Sequence, residues 1–459
     1  MQMKRFITGQ QEAMAPRPFL PGFMGLGAIA SCCLKHLASF TACCLAVLAL
    51  FATCKPADNP DNPGKQETRL PSDAEVGKAL PAWAEGWLDI HAISTGRGEC
   101  TFFIMPDGTT MIIDAGETVT STSSPVSVAQ RPDAGTRPYF TQGRYMKHFL
   151  EATGHNYLDY AVMSHFHIDH YGTPSGKGFT KSAEGYTLTG MMALYITLPY
   201  KKMLDRAWGA DDPEYSFIAK SGKDYSSGTV GDYTNFVKYA TSKKGLEMER
   251  FKAGTDQQLK LCYNAAKYPS FKIFNYAVNG EYWNGGAIVD AYGSSIPYEN
   301  GNSCISLISY GKFDYYTAGD AGGNTKMAVP VAKVIGRPVE AMKADHHMSV
   351  NCLPQEQMSI LQPRVVVTQS FAQRTDQPML STVEALLDHK YYNSDVSLYF
   401  TCIDPVISSP NANLYDRCHI NGHVVIRVEP GGDRFWVFQL DDTNNFYKVK
   451  SVEGPIECK

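Results

Sequence analysis

Apolar and polar positions take on a strand-like rhythm from Trp87 onward. Leu88 to Ser94 alternates as a half-buried strand does, and Gly96-Arg97-Gly98-Glu99 supplies a tight turn. Cys100 to Met105 and Thr110 to Ile113 flank Pro106-Asp107-Gly108, a hairpin signal. Asp114-Ala115-Gly116 ends that pair. Thr118 to Pro138 is polar and rich in Ser, Thr and Pro, and reads as loop, whereas Thr141 to Ala152 suits a helix. Leu158 to Met163 is an apolar run of strand length. Between Gly172 and Asn302 lies a long aromatic-rich stretch containing Tyr195, Tyr200, Trp208, Tyr215, Tyr225, Tyr233, Phe236, Tyr239, Tyr282 and Trp283. Within it Thr189 to Trp208 looks helical, kinked or split at Pro199.

Strands resume at Ser303 to Tyr310 and Phe313 to Thr317, ending in Gly319-Asp320-Ala321-Gly322-Gly323. A helix (Lys326 to Ile335) leads to a strand (Val339 to Ala344) that ends in Asp345-His346-His347. Next come a helix (Pro354 to Leu361), a strand (Val365 to Gln369), a helix (Ser381 to His389) and a strand (Val396 to Thr401). A last hairpin runs from Gly422 to Val428 and Arg434 to Leu440 around Pro430-Gly431-Gly432. Strands followed by helices, twice over, predict an α/β protein with two β-rich halves packed face to face and helices outside.

The N-terminus follows another rule. Phe19 to Leu34 and Leu37 to Thr53 are apolar and separated only by Lys35-His36. The second run has the length of a signal-peptide core. It ends in Phe51-Ala52-Thr53-Cys54, before the Pro/Asn/Asp-rich stretch that starts at Lys55. Small residues before a cysteine resemble a loose bacterial lipobox, which would make Cys54 the lipidated first residue of an exported protein. The alternatives are a signal anchor, or cleavage near Cys54 without lipid. The expected organisation is a signal over 1–54, a linker over 55–86, the main folded domain over 87–445 with an insertion over 173–301 that would cover its site, and a tail over 446–459.

Bulk composition changes this little. The 459 residues are 44% hydrophobic and 19% charged with a net charge of −4, so no basic excess favours nucleic acid. Of twelve cysteines, five lie at or before Cys54, and the others show no C-x-x-C spacing of a zinc ribbon. In an oxidising compartment Cys402 and Cys418 would be candidates for pairing, while Cys100 and Cys304 read as buried thiols.

The chemistry concentrates in Ser164-His165-Phe166-His167-Ile168-Asp169-His170, directly after an apolar strand. Neutral imidazole and ionised carboxylate are good ligands for zinc and similar divalent ions. Three further stations also follow apolar strands: Asp114, Asp320 and His346-His347. Strand C-terminal ends converge on ligand sites in layered α/β proteins, so the four stations together point to one metal-binding centre.

These segments resemble, in order, the motifs of the metallo-β-lactamase superfamily, and within it the soluble domain of the competence protein ComEC and phosphorylcholine esterase. Gly96-Arg97-Gly98-Glu99-Cys100 is similar to that family's G-Q-G-D-A. Pro106-Asp107-Gly108 with Ile112-Ile113-Asp114-Ala115-Gly116 is similar to its second strand pair. His165 to His170 matches the H-x-H-x-D-H loop. Asn302-Ser303-Cys304-Ile305-Ser306-Leu307 through Gly319-Asp320, and Met342-Lys343-Ala344-Asp345-His346-His347, resemble its later motifs.

The resemblance implies a four-layer αββα metallo-β-lactamase sandwich with a long aromatic-rich insertion, and two divalent ions, zinc first and manganese second. His165 and His167 would hold one ion. Asp169 and His170 would hold the other with one of His346 and His347, the lean being to His347. Asp320 would bridge both, Asp114 would orient the ligand loops from behind, and His346 would face substrate. Asp169, Asp320 and His346 are the expected catalytic residues. No histidine occurs between His170 and His346, and Asn302 stands where many members carry a third ligand for the first ion. Met348 replaces the family's Gly after the double histidine, and Gln377-Pro378 replaces a His-Pro.

The expected function is an exported, lipid-anchored hydrolase acting on a small-molecule or headgroup phosphodiester. No protein partner is inferable. The alternatives are hydrolysis of a carboxylic ester, lactone or amide, and a catalytically degenerate metal-containing binding protein of the cell envelope.

Overall fold

The computed structural model describes residues 70–459 except 97, 117–140, 173–179, 209–226, 296 and 371–373, with the backbone alone for 227–230. The expected signal, Cys54, Tyr215 and Tyr225 therefore lie outside the described residues. Among those described, no helix is long and apolar enough to cross a membrane.

Two nine-stranded sheets carry the fold among the described residues. The first contains β1 (Leu88–Ala92), β2 (Thr101–Ile104), β3 (Thr110–Ile113), β4 (Leu158–Val162), β5 (Tyr200–Asp205) and β6 (Glu247–Arg250). The second contains β7 (Phe271–Val278), β8 (Glu281–Trp283), β9 (Ile288–Asp290), β10 (Ile305–Tyr310), β11 (Phe313–Thr317), β12 (Ala341–Lys343), β13 (Val365–Thr368), β14 (Ser397–Phe400) and β15 (His419–Ile420). The chain then returns to the first sheet with β16 (His423–Val428), β17 (Arg434–Leu440) and β18 (Val449–Glu457). Strand order is β18-β17-β16-β1-β2-β3-β4-β5-β6 in the first and β15-β14-β13-β12-β11-β10-β7-β8-β9 in the second. In each sheet an antiparallel part passes into a parallel part, at β3–β4 and at β11–β12.

Three apolar cores show four layers. Ile90, Phe103 and Met111 from one sheet meet Ile308, Tyr315 and Val367 from the other. The outer face of the first sheet, with Phe102, Ile112 and Met203, is covered by helices α1 (Thr141–Leu150), α3 (Gly190–Thr197) and α4 (Ser227–Lys244). A short helix, α2 (Ile168–Tyr171), lies between them in sequence. The outer face of the second sheet, with Leu307, Tyr316 and Val366, is covered by α5 (Ala328–Ile335), α6 (Gln355–Leu361) and α7 (Leu380–Leu387). This is the expected αββα sandwich. Strands such as β2, with Phe102 and Phe103 turned to opposite cores, are apolar throughout because both sheet faces are covered.

Several local expectations change. Thr189 to Trp208 is half helix and half strand: α3 ends before Pro199, and β5 follows. Proline disfavours helix in the residue before it, so an apolar run continuous across Pro199 passes into extended chain. The 173–301 segment also contributes more sheet than expected, since β5, β6 and β7–β9 extend both sheets. Tyr195, Tyr200, Tyr233 and Phe236 belong to the outer core of the first sheet.

The 446–459 tail contains β18, paired along β17. Part of the 55–86 linker is docked. Gly77 N–H donates to Val449 O, and Arg427 donates to the carbonyls of Pro71 and Pro81. Every cysteine among the described residues is a free thiol, Cys402 and Cys418 included, with Cys418 Sγ turned to the Leu414 carbonyl.

Candidate metal centre

The four stations sit at the ends of β3, β4, β11 and β12, the strands where each sheet turns parallel. Parallel neighbours bring their C-terminal ends side by side, so each sheet delivers two stations to the same end of the sandwich.

The loop after β4 sorts its ligands by backbone shape. His167 is extended (φ −82°, ψ 148°) and α2 begins at Ile168. His167 thus projects from extended chain, while Asp169 and His170 project from the first helical turn. His165 Nε2 and His167 Nδ1 converge to 3.0 Å. With Asp320 they form one potential ion-holding group, and Asp169, His170 and His347 form a second. Asp320 links them. Its Oδ2 lies 3.7 Å from His165 Nε2, and its Oδ1 lies 3.2 Å from His170 Nε2 and 3.6 Å from His347 Nε2. His347 Nε2 is also 3.6 Å from Asp169 Oδ2.

Hydrogen bonds behind the imidazoles dictate which nitrogen faces inward. His347 Nδ1 lies 2.8 Å from the Gln369 carbonyl, which only accepts, so Nδ1 carries the proton and Nε2 keeps its lone pair. His170 Nδ1 is set 2.8 Å from Asp114 Oδ2 in the same way. The Ser164 hydroxyl donates to Asp114 Oδ2 and therefore accepts from His165 Nδ1 at 3.0 Å. Asp114 thus stands behind two imidazoles.

The fit to cations rests on this donor set and on two buried atoms. His170 Nε2 and Asp320 Oδ1 are both buried without completing a hydrogen bond. Buried polar atoms are normally satisfied, and a cation between these two would satisfy both. The carboxylates of Glu99, Asp114, Asp169 and Asp320 crowd here, with the Lys343 ammonium among them, 2.5 Å from Glu99 and 3.8 Å from Asp320. In the metal-free protein, burial opposes the charge on Asp169 and Asp320, yet the neighbouring imidazoles hold both carboxyls well below the usual range. Burial also opposes charge on His170, but Asp320 and Asp114 outweigh it and hold its pKa well above the ordinary value. Burial and the neighbouring His170 push His165 well down. The buried His/Asp groups are compatible with a two-ion centre.

Backbone geometry shows how tightly the loops fit. A Cβ on Gly98 or Gly116 would collide with the Asp169 carbonyl, which accepts from Glu99 N–H at 2.9 Å. His346, His347 and Met348 all take left-handed φ values (46°, 52° and 58°). Non-glycine residues rarely do so, and three in a row mark a strained loop held by its surroundings. Met348, where the family resemblance has Gly, bears one of these angles.

His346 and His347 separate clearly. His347 is fully buried between Asp169 and Asp320, whereas His346 is 19% exposed and has Nε2 3.7 Å from Asp320 Oδ2. The side-chain amides of Asn300 and Gln377 approach its Nε2 to 3.4 Å, and burial lowers its pKa. Asn302 is not gathered with the imidazoles: its side chain donates to Glu299 Oε2 at 3.3 Å. Sequence reasoning missed Glu99 and Lys343 as site residues. Their signal was a charge inside an otherwise apolar strand or turn, as in Met342-Lys343-Ala344.

No family model matches the chain. No curated protein matches it either. Among solved structures it is similar to CmlA, a diiron β-hydroxylase from Streptomyces venezuelae, at 14% identity and TM-score 0.33, over 76% of this chain and 55% of that one. The chain thus spans about half the length of CmlA. It is also similar to a diphosphatase of the PhnP family (10%, TM-score 0.32, 75% and 98%) and to Zn(2+)-bound PqqB from Methylobacterium extorquens (12%, TM-score 0.32, 73% and 97%). The described residues form an αββα sandwich. At these identities and TM-scores the likenesses carry no argument about the centre, whose chemistry rests on its own residues.

Proposed function

We propose that this protein is a metal-dependent hydrolase that cleaves a phosphodiester with two divalent ions, zinc being the best match to a histidine-rich set. The observation that carries this reading is Asp320, which offers one carboxylate oxygen to each of the two histidine groups. His165, His167 and Asp320 would hold the first ion, and Asp169, His170, His347 and Asp320 the second. Such ions supply an activated water at neutral pH and offset charge on the ester oxygens.

The chain's own residues do the rest. Asp169 keeps an ionised oxygen toward the centre and orients the attacking water. His346, kept neutral by burial and more exposed than His347, stands beside Asp320 to receive the ester and to offer its ring N–H as a hydrogen bond to an ester oxygen that gains charge. Gln377, which stands where the family resemblance has a His-Pro histidine, lies against His346 and orients this imidazole. The first group has two imidazoles and no third, which leaves room for substrate. That feature and the ComEC-like motifs favour a phosphodiester over a carboxylic ester.

Zinc content and turnover of bis-p-nitrophenyl phosphate, measured beside p-nitrophenyl acetate, test the reading. Phosphodiester turnover that is lost in Asp169→Ala supports it. Ester turnover alone replaces it with a carboxylesterase, and full zinc loading without any turnover replaces it with a binding role. We further propose export and anchoring through a lipid on Cys54, supported by the apolar run Leu37 to Thr53 and the small residues before the cysteine. Incorporation of labelled palmitate in cells, absent from Cys54→Ser, checks this.

A further inference from the structure

Phe166 sits between two of the candidate ligands and is gripped from two sides. The chain bends at Phe166: His165 and His167 converge on the candidate centre, and the Phe166 ring turns into the outer core of the first sheet. Its ring packs against Tyr233 (5.4 Å between centroids), with the Arg206 guanidinium 4.8 Å away. Its backbone N–H donates to Glu299 Oε1 at 2.7 Å. Arg206 binds the same carboxylate in bidentate fashion, Nε to Oε1 at 2.7 Å and Nη2 to Oε2 at 2.5 Å. Both side chains are almost wholly buried, at 0% and 1% exposure. Asn302 adds a third donor to Glu299, and Asn279 binds Arg206 through both its side-chain atoms.

An ion pair this deep is a poor device for stability alone, since two apolar side chains of similar volume commonly serve as well. What it provides here is a fixed, charged acceptor for one backbone N–H, and that N–H lies between His165 and His167. The first ion has only two imidazoles, so its affinity depends on how well those two are preset. Resting on the reading that they hold an ion, we propose that Arg206 and Glu299 are positioning residues of the first metal site: by gripping Phe166 they fix the His165–His167 pair before any ion arrives. The acceptor comes from the segment Glu299–Asn302, where the resemblance implies a third ligand. In this chain that segment holds the ligand loop instead of joining it.

The test is zinc titration against a chromogenic chelator, which yields a dissociation constant for each ion. Arg206→Met/Glu299→Leu removes both charges and the acceptor together. It is expected to weaken the first ion about 10–100-fold, the range for lost orienting contacts, and to leave the second within twofold. Arg206→Met/Glu299→Gln keeps a neutral acceptor for Phe166 N–H and is expected to regain most of the loss. Wild-type constants for both ions in the leucine variant overturn the proposal, as does an equal loss at both sites.

Hydrogen exchange on the wild-type protein decides the matter without any variant. The Phe166 amide is expected to exchange as slowly without metal as with zinc, and fast exchange in the metal-free protein overturns the proposal. If zinc does not bind at all, the metal-centre reading fails, while the amide measurement still tests the grip on Phe166.

Discussion

Asp114 Oδ2 stands 2.8 Å from His170 Nδ1 and also accepts the Ser164 hydroxyl, so one carboxylate orients the imidazoles of both histidine groups. Asp114→Asn keeps the shape but turns an obligate acceptor into a group that can present N–H to His170. Affinity for zinc is expected to fall about 10–100-fold, with the fold retained. Chelator competition reads the affinity and circular dichroism the fold. Unchanged affinity would remove Asp114 from its orienting role.

The adjacent histidines should separate by phenotype. His347→Ala removes a nitrogen that faces both Asp169 and Asp320, so one of the two ions is expected to be lost along with turnover. His346→Ala should keep both ions and lower kcat about 10²-fold or more, as expected for loss of a hydrogen-bond donor to an oxygen that gains charge. Zinc content by atomic emission, beside steady-state kinetics, checks the pair. Ion loss in the His346 variant would exchange their roles.

Metal uptake should release protons. Without metal, the carboxylates of Asp320 and Asp114 hold the His170 pKa well above the ordinary histidine value despite its burial, which favours the protonated form. An ion needs that lone pair, and the proton must leave. Apparent zinc affinity should therefore rise with pH through the neutral range, by up to about tenfold per unit for one proton. Calorimetry in buffers of different ionisation enthalpy counts the protons, and a heat independent of buffer would refute the protonated state.

Asp345 offers a stability test separate from activity. Burial pushes its carboxyl up to about 7 from 3.8, although Gln357 Nε2 donates to it at 2.8 Å. An acid whose pKa is raised on folding stabilises most below its unfolded value. That contribution is lost as pH climbs from about 4 to about 7. Asp345→Asn lacks this loss. Relative to wild type, the metal-free variant should gain stability from about pH 4 to about pH 7 and level off above that, a total on the order of 4 kcal/mol. Urea unfolding at several pH values measures the difference, and a gap constant with pH would contradict the buried, raised carboxyl.

The four stations were legible because their signal is local. An apolar strand followed at once by His or Asp is visible within ten residues, as at Val162 to His170 and Ala341 to His347. Pairings across long stretches of chain were not legible. Arg206 meets Glu299 and Glu99 meets Lys343 only after the sheets have formed, and nothing in their own neighbourhoods names the partner. The sequence predicts helix into β5 because Met191 to Tyr200 is apolar almost without interruption, and periodicity does not separate a buried helix from a buried strand. β18 was read as a tail because an edge strand exposes one face, and Lys450, Glu453 and Glu457 break the apolar pattern.

Each sheet supplies two of the four stations, so neither sheet contains a complete ion-holding group bridged by Asp320. Ions bound there would act as rivets across the seam of the sandwich. Pulling the sheets apart would mean surrendering them, and the energy of holding them would be added to the energy of keeping the halves together, in proportion to the logarithm of free metal. A chelator should then lower this protein's resistance to unfolding by that amount, while the apolar core between the sheets keeps the metal-free sandwich closed.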